Sequence, residues 1–583
     1  MNLLSGLKGI LFHIQRSIKR APIAFGLSVI LAVLLIILSE HGPFMTVEAL
    51  DRFKRISMLV GLGILLALCI GLLNENFFSG DRLKSLLKNL AAYLVGASVL
   101  FLYHLFFIQE IGSFVSGVRY IAVALFLALS LLFIPRLNKK ENYEAYVLKV
   151  FTGLLITAIY SAVLYSGIAA IIFATDNLFE FGMPSAYYYY SFLLVGSLFS
   201  VPLFLSKLPD RDDDQADYSY SRALEIILLN IAIPLITIYT AILYLYFVQI
   251  LIVWEWPKGV ITNLVLWYSV LGVGVLFLLT PILKENPVGN LFKTWFPKLI
   301  MPLLGLMFIA IGIRINQYGF TESRYYVVLL GAWVTGFMLY FSVAKSIKNI
   351  IIPISLAIIV FIAVFGPLSS FTVSIMSQNA RLNYILTRNE MITNGTLISN
   401  SNISLTDRIE ISNIVMYFDR YHSLADIAVV PDDFDKTRMR DIFGFEFQPQ
   451  HRDIPAFINF YYFLDLAQEP ISISNFDYFL VINMWNEKFR KIDSIRVEYD
   501  TEEYILDVYD GTENILSRSL MGYIQEIHVR NTNGVAELAS MSFDGENEKL
   551  RYTIIFTSVS GYLDHNEEIT ITDAAFTLLL DVK

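Results

Sequence analysis

Charge is scarce in this chain. Asp, Glu, Lys and Arg make up 16% of its 583 residues, against about 25% in ordinary soluble proteins. Hydrophobic residues make up 56% and the mean hydropathy is +0.58, so most of the chain faces something other than water. Cysteine is rarer still. The single Cys69 lies in the apolar run GILLALCIGLL, which excludes an intramolecular disulfide, a CxxC redox pair and a thiolate metal cluster. HExxH, GxSxG and the phosphate-binding P-loop are all missing, and nothing implies a cofactor. A nucleic-acid partner needs a basic soluble face. Here residues 1–365 carry a net +7 and residues 366–583 a net −16. The polar part is the acidic one, so nucleic acid is excluded as a partner.

What is present is a series of long apolar runs. A bilayer core about 30 Å thick needs roughly 20 apolar residues in a helix. Candidate spans are 21–38, 56–73, 90–108, 117–134, 150–174, 186–205, 226–253, 261–283, 299–313, 326–343 and 350–365. The seventh contains Pro234 and is expected to tilt or kink. The ninth and eleventh are short. The first follows Lys19 and Arg20 but is longer than a signal-peptide core and is expected to stay as an anchor. The fold class is thus a polytopic α-helical membrane protein of about eleven spans, with the lipid bilayer as its first partner.

Loop charge predicts orientation. With a cytoplasmic N-terminus and alternating spans, the cytoplasmic segments collect 19 Lys and Arg and the opposite loops collect 7. Eleven spans then leave the C-terminal part extracytoplasmic.

After Gly366-Pro367 no run is long enough to cross a bilayer. Residues 366–394 read as an amphipathic linker helix, with Phe371, Ile375, Leu382, Ile385 and Leu386 near helical spacing, ending at Asn394-Gly395. Residues 395–583 read as a soluble α+β domain, helices first and antiparallel β afterwards. Ser404 and Asp407 form a capping-box pattern before a helix over 409–421, and Gly444 stops a third over 435–443. From about 476 the runs DYFLVINMW, YILDVY, YIQEIHV, LRYTIIFTSV and EITITDAAFTLLL predict five to seven strands, with Asp510-Gly511 and Asp544-Gly545 as hairpin turns.

The stretch RINQYGFTESRYYV, 314–327, resembles the signature region of a family of polytopic bacterial membrane proteins catalogued as domain of unknown function 4153. The likeness continues through SQNARLNYIL (377–386), EISNIVMYFDRYHS (410–423) and DIFGFEF (441–447). It implies a bacterial cytoplasmic-membrane protein with this two-part layout, and no activity, cofactor or catalytic residue comes with it.

The candidate polar cluster is the loop before the tenth span: Arg314, Tyr318, Glu322, Arg324 and Tyr325, with Tyr326 beside them. An ion pair between Glu322 and Arg314 or Arg324 would fix how the ninth and tenth spans meet the tail. The competing structural reading has Thr321 as a helix cap, Glu322 on the positive helix end and the tyrosines in the interfacial belt. His104, near the end of the third span, is the intramembrane polar candidate, and Asn230 and Gln249 read as interhelical glue. Tyr187–Tyr190 and Trp254/Trp256 read as belts. Asp212–Asp214, the set Asp432, Asp433 and Asp435, and the turn Asp544–Glu548 are acidic without following a metal-binding spacing. His422, His451, His528 and His565 are scattered. No metal or catalytic set emerges. The pattern favours a non-catalytic envelope protein that anchors, binds or senses, its tail meeting a protein, lipid or cell-wall partner. The alternatives are a transporter or channel, which wants charge in mid-span and broken helices, and a membrane enzyme acting on a lipid-linked substrate, for which Glu322, Asp176 and Glu180 are a thin carboxylate set.

Overall fold

A computed structural model describes residues 17–583 apart from 78–81, 109–111, 139–141, 180, 210–221, 254–259, 284–285, 345, 394–395, 432, 449–457, 466–470, 484–488, 501–502, 532–533 and 564–568. Among the described residues, ten helices are long and apolar enough to cross a membrane. They are α1 (Pro22–His41), α2 (Val47–Glu75), α3 (Leu87–Phe107), α4 (Phe114–Arg136), α5 (Tyr143–Phe179), α6 (Ala186–Lys207), α7 (Leu224–Val253), α8 (Thr262–Ile282), α9 (Pro287–Tyr318) and α10 (Glu322–Val343). Their outer faces stay apolar: Phe151, Leu155, Val163 and Ile171 of α5 are all exposed. That surface suits hydrocarbon and not water, and makes this a membrane protein.

Two expectations about the spans change. The ninth is long: α9 runs 32 residues through Pro297 and Pro302, about 48 Å at 1.5 Å per residue. Its polar first turns hide it from a reading based on apolar runs. In α7 the irregularity is a wide π turn over Ile227–Ala232, just before Pro234, where the missing N–H would otherwise break a regular helix. The same device occurs in α6, with a π turn over Val195–Ser200 and Pro202 following it. The eleventh helix, α11 (Ile351–Val364), has 14 residues, about 21 Å. It nevertheless connects opposite ends of the bundle, packed against α4 with Phe361 on Phe126.

At one end, Arg20 holds Glu75 at 2.9 Å and the carbonyls of Leu208 and Pro209. Here also Asn349, just before α11, donates to Glu144 and Thr280. At the other end, Arg119 of α4 donates to the carbonyl of Val364, the last residue of α11, and Phe365 packs on Phe107.

The chain divides into two compact units, Met1–Phe447 and Gln448–Lys583. The boundary therefore lies well past the 394/395 division expected from composition. Segment 395–447 belongs with the helices because it shares a core with the linker helix. That helix is α12 (Ser370–Arg388). Its Leu382, Ile385 and Leu386 pack with Ile411, Ile414, Val415 and Phe418 of α13 (Leu405–Tyr421) and Phe443 of α14 (Met439–Phe443). A short hairpin, β1 (Ile392–Thr393) and β2 (Thr396–Leu397), lies between α12 and α13. Ser404 caps α13 through the Asp407 N–H at 3.2 Å. Gly444 ends α14 at φ +87°, and a Cβ there would meet the Asn400 backbone at 2.8 Å. This assembly is called the cap below.

In the second unit, β4 (Tyr478–Asn483), β12 (Ile569–Val582), β11 (Leu550–Leu563), β3 (Ile458–Leu464) and β9 (Gly534–Ala536) lie side by side in that order. β10 (Ser542–Glu546) also pairs with β11. A four-stranded antiparallel meander is formed by β5 (Phe489–Ile492), β6 (Ile495–Asp500), β7 (Ile505–Asp510) and β8 (Glu513–Ser519). Pairing is antiparallel except between β3 and β9. Asp510-Gly511 is a turn, as expected, with Gly511 at φ +60°. Two expectations fail. Residues YIQEIHV form helix α15 (Met521–Arg530), because Leu520, Ile524 and Ile527 fall on one helical face and are fully buried. Asp544-Gly545 lies inside β10, where Gly545 leaves room for the Tyr552 ring across the ladder.

Candidate functional site

The seam between the bundle and the cap is made by the segments that carry the family resemblance. The turn after α9 is met by α12: Gln378 Nε2 donates to the carbonyls of Tyr318 (3.0 Å) and Phe320 (2.7 Å), and Ser377 Oγ accepts from the Phe320 N–H at 2.8 Å. Gly319, at φ +70°, lets that approach occur, since a Cβ would meet Gln378 at 2.9 Å. Arg324 reaches back from α10 to the Gly319 carbonyl at 2.7 Å, its guanidinium over the Tyr318 ring. Arg381 lies over the same ring and pairs with Glu410 of α13.

Glu322 stands at the start of α10 and is buried, but its partner is neither arginine. Tyr417 of α13 donates to both carboxylate oxygens, at 2.8 and 2.9 Å, and His422 Nε2 lies 2.7 Å from Oε1. The Glu322 and His422 side chains are 6% and 2% exposed. Burial first, and then the Glu322 charge, push the Tyr417 phenol well above its ordinary value, so it stays a neutral donor. Arg314 is half-buried with no hydrogen bond or ion pair to the described residues. Thr321 sits at the N-cap position of α10 without a side-chain capping bond. Tyr325 donates to the Leu368 carbonyl, and Tyr326 meets Ser370 at 2.8 Å. The predicted loop thus separates: Tyr318, Arg324, Glu322 and Tyr325 all serve the seam, and Arg314 stands apart.

A cavity of about 520 Å³ opens beside this seam. It is lined by the end of α3 and start of α4 (Phe107, Ser113, Ser116, Arg119), by Phe371 and Thr372 of α12, and by Asp419–Ser423 and Asp426. His422 is both a wall of the cavity and the partner of Glu322. The Arg119 guanidinium lies between two aromatic faces, 5.2 Å from Phe107 and 5.1 Å from Phe371. Asp419 is paired with Lys436 at 2.8 Å, and Asp426 accepts from the Ser423 N–H.

Sequence reasoning counted Arg119 only as a loop charge and His422 only as a scattered histidine. Intramembrane position was the available signal for Arg119; the partnership of His422 with a residue a hundred positions earlier had none. His104 does not join the site. It is half-buried on α3, its Nδ1 unpartnered among the described residues. Asp176 accepts from the Met183 N–H and Tyr190 contacts Glu40, both structural roles. His528 meets Tyr462 within the β unit. Asp435 caps the turn before α14, Asp433 pairs with Arg438, and Asp544 accepts from Thr553. Trp254, Trp256, Asp212–Asp214, Glu180, Asp432, His451 and His565 lie outside the described residues. Among the described residues no group of three or more His, Cys, Asp or Glu is placed to hold a metal ion.

The family model described as domain of unknown function (DUF4153) matches residues 24–402. The chain belongs to this family. The match covers the bundle, the turn after α9, α12 and the hairpin, and ends just before α13. An uncharacterized protein of Pasteurella multocida (strain Pm70) is 33% identical over 117 residues, a fifth of each chain. No solved structure matches this DUF4153 chain.

Proposed function

We propose that this DUF4153 member is a non-catalytic binding or sensing protein of the bacterial envelope, whose cap and spans jointly hold a ligand. The observation that carries the reading is the 520 Å³ cavity with walls from both α3–α4 and α12–α13. Its shape therefore depends on how the cap is seated, and the seat is the Glu322–Tyr417–His422 cluster. A ligand that fits the seated cap better than a loosened one shifts the population toward the seated form. Loop charge supports a cytoplasmic N-terminus. On that orientation the cavity and cap face outward, toward envelope protein, lipid or cell-wall partners.

Transport has one observation in its favour, the π turns in α6 and α7, with α7 packed on the proline-bearing α9. The groove there, between α7 and α9, is lined by Ile233, Leu291, Phe292 and Trp295 with only Thr237, Thr240 and Tyr244 for polarity, so it offers a solute little to bind. Enzymatic chemistry has the Glu322–His422 pair, but its short bonds tie the cap down.

The test is a thermal-shift screen of the full-length protein in nanodiscs against aqueous and lipid extracts of bacterial envelopes. A component that stabilises the wild type and not Thr372→Trp, which fills the cavity, supports the reading. If no extract moves the wild type, or both proteins shift alike, the cavity is not a binding site.

A further inference from the structure

We infer that the cavity binds a phosphate-bearing ligand, with Arg119 as the residue that holds the phosphate. The inference rests on the reading of the cavity as a binding site and adds the chemistry of what enters it. Arg119 lies within the span Phe114–Arg136, where a charged side chain is costly and marks function by default. Two neighbouring cations of this seam have anionic or carbonyl partners: Arg381 has Glu410, and Arg324 has the Tyr318 and Gly319 carbonyls. Among the described residues Arg119 has one hydrogen bond, from Nε to the Val364 carbonyl at 3.3 Å, and no carboxylate partner. Arg119 lines the cavity.

The surroundings fix that guanidinium in place. Phe107 and Phe371 cover it from α3 and α12, an arrangement that stabilises a cation and removes rotamer freedom before any ligand arrives. A planar guanidinium fork matches phosphate oxygens. The cavity carries charges of both signs. Arg420 adds a second cation at the rim. The positive end of the α4 dipole faces the same space, as a minor addition. The two carboxylates at the rim are already engaged, Asp419 by Lys436 and Asp426 by the Ser423 N–H. The wall carries Phe106 and Phe107 at the end of a membrane span, so a lipid headgroup and a soluble phosphate can both reach it.

The experiment uses the full-length protein in dodecyl maltoside, which carries no phosphate, titrated calorimetrically with inorganic phosphate and with short-chain phosphatidic acid. Binding of both identifies a general phosphate site, binding of the lipid alone a headgroup site, and binding of inorganic phosphate alone a site for a soluble ligand; each supports the inference. Arg119→Gln is expected to weaken binding at least about tenfold. Arg119→Lys, which keeps the charge and loses the fork, is expected to weaken it several-fold. It serves as the informative variant if Arg119→Gln does not fold. Arg496→Gln, on β6 of the second unit, should bind as the wild type does. The inference is overturned if neither phosphate binds the wild type, or if both Arg119 variants bind as tightly as it does. A neutral envelope component that stabilises the wild type but not Thr372→Trp, with no phosphate binding, would leave the cavity reading standing and sink this one alone.

Discussion

At one end of the bundle Arg20 is met by Glu75 and two carbonyls, and Asn349 by Glu144 and Thr280. Those contacts run between span ends. At the other end Glu322 is answered by residues of the cap, Tyr417 and His422, and Arg119 is answered by one carbonyl and two rings. The first arrangement closes helices on one another. The second leaves a positively charged group beside open space and makes the seating of the cap depend on a buried carboxylate. The same residue types thus serve closure at one end and, on the reading proposed above, recognition at the other.

The largest effect that would break this comparison is expected at Glu322. Glu322→Ala leaves both Tyr417 and His422 buried without their acceptor, and each stranded polar group costs about 1–3 kcal/mol. Glu322→Gln keeps an acceptor for Tyr417 and should cost clearly less. Limited proteolysis of the cap and thermal unfolding of the full-length protein measure both. If the alanine variant is as protease-resistant as the wild type, Glu322 does not seat the cap.

A smaller effect is expected at the opposite end. Asn349 is 2% exposed, and Asn349→Ala removes its bonds to the half-buried Glu144 and Thr280, a loss of about 1 kcal/mol. It should lower the unfolding temperature of the whole unit without making the cap more sensitive to protease than the bundle. Cap release by this variant would mean that the two ends are coupled through α11 and that the contrast drawn above is too sharp.

The comparison also shows what was legible in the sequence. Spans could be read because a bilayer demands apolar length, and that signal is local. The capping of α13 by Ser404 and the stop at Gly444 were legible for the same reason. The α9 span was underestimated because its first turns carry Lys293 and Lys298 and its middle carries prolines. The helix Met521–Arg530 was misread because Ile and Tyr favour strands while the spacing of Leu520, Ile524 and Ile527 favours a helix, and tertiary burial decided it. Of the candidate site, the loop around Glu322 was located, but its arginine partnership was wrong. Proximity in sequence suggested Arg314 and Arg324. The real partners come from a helix whose approach is set by Gly319 and Gln378, and no local pattern encodes that. Arg119 was missed because its surroundings, Phe107, Phe371 and Val364, assemble only in the fold.

The smallest expected effect concerns the cap itself, and it sharpens the comparison by asking whether the cap can loosen while the bundle holds. Asp407 is held by Arg388, by Asn389 at 2.9 Å and by the Ser404 cap. Burial works against its ionisation, but the hydrogen bonds from Asn389 and Arg388 outweigh it and hold the carboxyl below its ordinary value. A carboxylate depressed in the folded state stabilises that state at pH values above its ordinary range. The contribution disappears as pH falls through the depressed value. Arg388 is substantially exposed, so screening limits the pair to about 1 kcal/mol or less. Protease sensitivity of the cap should therefore rise modestly on acidification below the carboxylate range. Asp407→Asn should show the raised sensitivity already at neutral pH and a flatter acid response. The bundle, whose span ends are not tied through Asp407, should lose no stability with it. An acid response of the variant as steep as that of the wild type would place the titrating group elsewhere in the cap, with Glu410 beside Arg381 the next carboxylate to replace.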